Sequence, residues 1–180
     1  MTAASSPQVA LSRRRVLLGA ALVGLLAGCS AIRNPMASGT PATSNETFEV
    51  THTDDEWHRL LNAQQYDVLR NAGTERPYSS PLNDEHRAGV FGCAGCELDL
   101  FSSTTKFDSG TGWPSFWKAL DNAVTERQDS TLGMTRTEVL CRRCGGHLGH
   151  VFDDGPAPTG LRYCMNGDGL TFRAAEVPHP

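Results

Sequence analysis

The chain has 180 residues, 39% of them hydrophobic, which suits one globular domain with accessory segments. Its net charge is −4, and its 16 Lys and Arg residues are scattered apart from one early cluster. That excludes the basic stripe a nucleic-acid partner needs, so none is expected.

The early cluster, Ser12-Arg13-Arg14-Arg15-Val16-Leu17, opens the first segment. The apolar run Val16–Gly28 that follows falls short of the ~20 residues a membrane-spanning helix needs. A charged start, a short apolar stretch and small residues at its end describe a signal peptide over residues 1–28. Its twin-arginine pattern resembles an export signal that carries folded passengers. Leu26-Ala27-Gly28-Cys29 resembles a bacterial lipobox, which implies cleavage before Cys29 and lipid on its sulfur. The expectation is a protein exported and lipid-anchored to the bacterial cell envelope, at its periplasmic or extracytoplasmic face, with the membrane as a partner through Cys29. A plain export signal with an incidental cysteine is the alternative. Residues 29–50 turn to Ser, Thr, Ala, Pro and Asn and read as a flexible tether.

The domain proper is expected over residues 51–176. Thr53 with Glu56 three residues later forms a capping-box pattern, and Trp57, Leu60 and Leu61 follow at helical spacing. Asn62 with Gln65 repeats the cap pattern. Tyr66, Val68 and Leu69 supply apolar positions before Gly73, the expected helix terminator. Beyond Gly73 the texture changes. Short apolar runs such as Gly89-Val90-Phe91 and Thr137-Glu138-Val139-Leu140 stand between Gly, Pro, Asp and Ser clusters, which predicts strands and turns. The fold class expected is mainly β, with a short N-terminal helical arm.

Two CxxC pairs, Cys93/Cys96 and Cys141/Cys144, sit in this β region. Two intervening residues let both sulfurs of a pair face one metal ion. Four thiolates in a tetrahedron suit one structural Zn²⁺ per chain, with no coordination position left open. The wide gap between the pairs predicts that two separate hairpins supply them. The rivals are a thioredoxin-type redox pair, which wants a βαβ context not visible here, and a rubredoxin-like iron site.

Between the pairs, Asp108-Ser109-Gly110-Thr111-Gly112-Trp113-Pro114-Ser115-Phe116 surrounds a tryptophan with glycines. This is either an exposed aromatic loop or simple core packing. After the second pair, His147, His150, Asp153 and Asp154 put two imidazoles and two carboxylates beside a turn. An imidazole can supply a proton near neutral pH while a carboxylate holds its ring; a second metal site is the competing reading. Of six cysteines, four go to the metal and one to lipid, which leaves Cys164. In a strand, Arg162, Cys164 and Asn166 share a face, and a neighbouring guanidinium favours the reactive thiolate. A buried cysteine packed as a small hydrophobe is the plainer alternative.

Taken together, the segments GTERPYS (73–79), CAGCELDLFSS (93–103), KFDSGTGWPSFW (106–117) and CRRCGGHLGHVFDDGPAPTGLRYCMN (141–166) resemble the methionine-R-sulfoxide reductase B family. The resemblance implies a SelR-type β domain of two small antiparallel sheets, with zinc on Cys93, Cys96, Cys141 and Cys144. It implies Cys164 as the nucleophile, with His147, His150, Asp154, Arg162 and Asn166 around the sulfoxide. Trp113, with Phe116 and Phe172, would hold the substrate. Oxidised proteins or free methionine sulfoxide would be the substrate, a thioredoxin-like or other thiol the reductant, and the enzyme a monomer. Two departures stand out. Thr111 occupies the place where many members carry a cysteine that resolves the oxidised nucleophile, and Gly167-Asp168-Gly169 replaces the usual Ser-Ala-Ser. The alternative function is a zinc-ribbon-like binding module without catalysis.

Overall fold

A computed structural model of the chain describes residues 47–176. The signal segment 1–28, Cys29 and the tether as far as residue 46 lie outside the described residues.

The N-terminal arm is two short helices, α1 (Asp54–Leu60) and α2 (Ala63–Asn71). Both capping boxes form: the Thr53 side chain accepts from the Glu56 N–H, and the Asn62 side chain from the Gln65 N–H. Each thereby satisfies a donor that the first helical turn leaves free. The terminator differs from expectation. Ala72, one residue before Gly73, takes the left-handed conformation (φ 54°), while the Gly73 N–H bonds the Asp67 carbonyl at 2.9 Å. The docked chain also begins earlier than expected. The Val50 N–H bonds the Arg143 carbonyl and Glu49 pairs with Arg142, so residues 49–50, expected to be tether, are tied to the Cys141–Cys144 turn.

Among the described residues nine strands follow: β1 (Gly89–Cys93), β2 (Asp99–Ser102), β3 (Lys106–Phe107), β4 (Ser115–Phe116), β5 (Val124–Asp129), β6 (Arg136–Cys141), β7 (His147–Phe152), β8 (Arg162–Met165) and β9 (Leu170–Ala174). They form two antiparallel sheets, one in the order β2-β1-β9 and one in the order β3-β4-β8-β7-β6-β5. The expected mainly β fold with a short helical arm is what the chain adopts.

Strand periodicity sorts the six-stranded sheet into two faces. On one, Phe116, Tyr163, Met165 and Val139 turn inward. Phe116 stacks on Phe101 of the three-stranded sheet at 4.4 Å between ring centroids and meets Phe91 edge-on at 5.0 Å. These rings make the core between the sheets, and burying each contributes on the order of 2–3 kcal/mol. The other face is where the functional side chains gather.

Candidate functional site

The β1–β2 and β6–β7 turns bring Cys93, Cys96, Cys141 and Cys144 together, all buried and with no disulfide among them. Two separate hairpins supply the pairs, as the spacing predicted. The four ligand sulfurs lie within 4.8 Å of one another, with Cys93 to Cys144 at 3.7 Å and Cys96 to Cys141 at 3.5 Å. A tetrahedral S4 site with bonds of ~2.3 Å requires sulfurs about 3.8 Å apart, so the cage fits such an ion. Contact with Cys141 pushes the Cys93 thiol up and holds Cys96 down. All four ligands are buried, and a tetrahedral ion held by four thiolates keeps no open position, which suits a structural ion.

The second site is a line of paired residues across the six-stranded sheet. Ser115 on β4 pairs with Cys164 on β8, which pairs with His150 on β7; His150 pairs with Glu138 on β6, and Glu138 with Arg127 on β5. Directly opposed residues in antiparallel strands point to the same face, so all five side chains stand in one row.

His147 and His150 are three residues apart, and a regular strand would put them on opposite faces. The pairing slips between Val139 and Leu140, with Gly149 opposite Val139 but His147 opposite Leu140, so Leu148 is an extra residue. This bulge turns His147 onto the face of His150. Their ring centroids are 5.5 Å apart. Gly149 makes the close approach of β7 to β8 feasible, since a Cβ there would sit 2.1 Å from the Cys164 carbonyl oxygen.

Each imidazole is held by a carboxylate, but not by the ones next to it in sequence. His147 Nδ1 lies 2.7 Å from Glu138 Oε1, and His150 Nε2 lies 2.8 Å from Asp129 Oδ2. Asp154, expected around the sulfoxide, forks onto Arg162 with two bonds of 2.8 Å and is largely solvent-exposed. Burial pushes the Glu138 carboxyl up, but His147 and Arg127 outweigh it and hold it below its ordinary value. Contacts to Thr131, and then to His150, hold Asp129 well down. Burial lowers His150 despite the pull of Asp129, so its ring is neutral at neutral pH.

Cys164 is half-buried and lines a cavity of about 190 Å³ together with Thr74, Trp113, Arg136, Gly149, His150, Phe152 and Asn166. That is small beside the ~300–1,000 Å³ typical of sites for drug-sized ligands, and it suits a single side chain. The Trp113 indole N–H donates to the Glu75 carbonyl at 3.2 Å. A neighbouring cavity of about 390 Å³, into which His147 faces, shares Thr74, Arg136 and His150 with the first. Thr111 Oγ1 is 3.8 Å from Cys164 Sγ. Burial pushes the Cys164 thiol up, and Thr111, Arg162 and Ser115 offset this only in part. The expected effect of Arg162 is therefore present but smaller than the cost of desolvation.

The structure thus brings Cys164, His150, Asn166 and Trp113 to one cavity, with His147 behind His150. Asn166 lies just past the end of β8, with its Oδ1 accepting from the Glu75 N–H and its amide donating to the Leu148 carbonyl. Arg162 sits over the Phe152 ring at 4.4 Å. Two residues expected against the substrate stand elsewhere. Phe116 alternates with Ser115 and so turns into the core with no exposure, and Phe172 belongs to β9 of the other sheet, against Phe91 and Arg87. Residues not anticipated are Glu75, Asp129, Arg136 and Glu138. Glu138 was detectable as a charged residue inside an apolar strand, whereas Asp129 and Glu75 reach the site only through the fold.

A family model described as the SelR domain matches residues 61–174. Among curated relatives, the peptide methionine sulfoxide reductase MsrB of Thiobacillus denitrificans is 57% identical over 121 residues, covering 67% of this chain and 92% of its own length. That of Agrobacterium fabrum is 52% identical over 125 residues, covering 69% and 93%. That of Leifsonia xyli is 55% identical over 128 residues, covering 70% and 92%. A match of this extent, with identity of this order across nearly the whole of each relative, means that the chain belongs to the SelR-domain family of peptide methionine sulfoxide reductases MsrB.

Proposed function

We propose that the protein reduces the R epimer of methionine sulfoxide, protein-bound or free, through a sulfenic acid on Cys164. The observation that carries this reading is the row Ser115–Cys164–His150–Glu138, which sets a thiol beside an imidazole at a cavity of side-chain size. The substrate methyl group would lie against Trp113. The Cys164 thiolate attacks the sulfoxide sulfur, and His150, directly or through water, brings a proton to the oxygen. The oxygen leaves the substrate sulfur and ends on Cys164, giving methionine and a sulfenic acid. Asn166 and Arg162 shape the wall beside the sulfur, Asp154 holds Arg162, and His147, braced by Glu138, supports His150.

An external thiol then attacks the sulfenic acid and releases water, and a second thiol frees Cys164. This external route is favoured because Thr111 stands where a resolving cysteine would act. In the metal cage a structural Zn²⁺ would be held by all four thiolates and would contribute folding energy rather than chemistry.

Export and lipidation at Cys29 complete the reading, with the protein acting as a monomer anchored at the periplasmic or extracytoplasmic face of the cell envelope. They rest on the Ser12–Leu17 and Leu26–Cys29 patterns. Mass spectrometry of the native protein should find Cys29 acylated as the first residue; a mature chain beginning elsewhere without acyl mass would remove the anchor. The reaction itself is tested by supplying separate R and S sulfoxides with dithiothreitol. The R epimer should be consumed and the S epimer left, and Cys164→Ser should consume neither. Turnover of both epimers, or of neither by the parent, would defeat the assignment.

A further inference from the structure

Glu75 lies in the loop after α2 and does not line the Cys164 cavity, yet four of its atoms are tied to the groups that do or to the turn beside them. Its backbone N–H donates to Asn166 Oδ1 at 3.0 Å, and its carbonyl accepts from Trp113 Nε1 at 3.2 Å. Its carboxylate accepts from the Gly167 N–H on one oxygen and from the Asp168 N–H on the other, each at 2.7 Å. The residue is only 9% exposed.

Burying a carboxylate is costly unless hydrogen bonds compensate it, and here backbone N–H groups supply the compensation. Those two N–H groups open the short 3-10 turn Gly167–Gly169, which follows directly on Asn166. The free donors at the start of such a turn favour an anion, so the carboxylate and the turn stabilise one another. The turn is pressed against its surroundings. A Cβ on Gly167 would come within 2.0 Å of Ser80 Oγ and 3.4 Å of Glu75 Oε1. Glycine here is what lets the turn come close enough for both bonds.

We propose that Glu75 is a positioning residue: its carboxylate, gripped by the N–H groups of residues 167 and 168, fixes the main chain of residue 75 where that main chain holds the Trp113 indole and the Asn166 amide at the Cys164 cavity. The side chain touches no reacting atom. Its effect passes through the backbone of its own residue to two walls of the cavity, which removing the carboxylate would loosen together. Burial pushes the Glu75 carboxyl up, with the two N–H bonds pulling against it. The inference rests on the reading of that cavity as the active site.

Glu75→Gln keeps the shape but turns one acceptor into an NH2 donor, which faces a backbone N–H. With the full-length protein and methionine-R-sulfoxide, kcat/KM should fall roughly 10- to 100-fold, mainly in kcat, because groups are displaced and not removed. Amide-exchange NMR should show the Trp113 indole N–H losing its protection, while zinc content and the rate of Cys164 alkylation by iodoacetamide stay within twofold. Gly167→Ala, which pushes the turn off the carboxylate from the other side, should give the same signature. Wild-type indole protection with kcat/KM within twofold in either folded variant would overturn the proposal. So would loss of fold in both, since Glu75 would then be a folding residue alone. If the parent does not reduce the sulfoxide, the reading of the cavity fails, but the loss of indole protection still reports on the positioning role.

Discussion

Thr111, Arg162 and Ser115 all favour a thiolate at Cys164, yet burial outweighs them, and the resting sulfur is a thiol raised above its ordinary value. In the proposed cycle the proton would leave as the sulfoxide enters, and His150, paired with Cys164 across the strands and lowered by burial, would take it and pass it to the departing oxygen. Residue chemistry also decides how the cycle closes. Thr111 Oγ1 sits 3.8 Å from Cys164 Sγ, the contact a resolving cysteine would make, and the cage sulfurs are committed to one another. Treated with excess methionine-R-sulfoxide and no reductant, a variant lacking Cys29 should release about one methionine per chain and leave a sulfenic acid on Cys164. A sulfenate-selective reagent should label that residue. In Thr111→Cys the label should vanish and a disulfide between the new thiol and Cys164 should replace it, since the side chains already meet. Peptide mapping that joins Cys164 of the parent to a cage cysteine, with release of metal, would overturn the one-cysteine cycle. That Cys164 stands outside the four-cysteine cage was open to subtraction in the sequence, because the two CxxC pairs are separable by spacing. Its thiol state was not, because desolvation depends on what packs over it.

Among elements, β6 and β7 carry most of what the sequence left hidden. A strand was expected at Thr137-Glu138-Val139-Leu140, and the chain extends it from Arg136 to Cys141. What each residue faces depends on the bulge at Leu148, which no local pattern announces. Without it, His147 would point away from Glu138, and the nearest carboxylates in sequence, Asp153 and Asp154, would be the natural guess. The capping boxes at Thr53 and Asn62 were readable because both partners lie within one turn. Glu138 also gives β6 a measurable pH signature. Its carboxyl is held below 4.5 by His147 and Arg127 against the effect of burial. The unfolded chain therefore takes up the proton first as pH falls. The stabilisation is fully present above about pH 4.5 and is lost as pH drops through the lowered folded value. Urea midpoints measured at pH 7 and again near pH 3.5 should fall further for the parent than for Glu138→Gln. Protonation of the metal-site thiols is common to both proteins and cancels in that comparison. Parallel losses in the two would show that Glu138 carries no linked proton.

At the scale of the whole molecule, the four-cysteine cage joins the two sheets, because Cys93 ends β1 of the three-stranded sheet and Cys141 ends β6 of the six-stranded one. The helical arm leans on the same place. Arg70 donates to the Cys144 carbonyl and lies over the Trp57 ring at 4.8 Å, and a Cβ on Gly95 would touch both Leu69 and Trp57. A metal at this junction therefore ties sheet to sheet and arm to both, while His147 begins β7 three residues after Cys144. Structural zinc contributes folding energy directly, on the order of 10 kcal/mol in small zinc modules. Even ~3 kcal/mol lost would lower the Tm of a domain this size by on the order of 10 °C. Metal analysis should find close to one zinc per chain, and chelation or Cys93→Ser should lower Tm by at least that much. Hydrogen exchange should quicken first in the β6–β7 hairpin, because its turn holds two of the ligands. Activity should decline together with that hairpin, since loosening β7 misplaces His147 and His150, whereas Cys164 on β8 should keep its chemical reactivity longer. A metal-free protein that melts at the parent's temperature would show that the cage is held by packing alone. Early loss of Cys164 reactivity, ahead of any change in β6–β7, would show instead that the cage supports the nucleophile by a route other than the histidine strand.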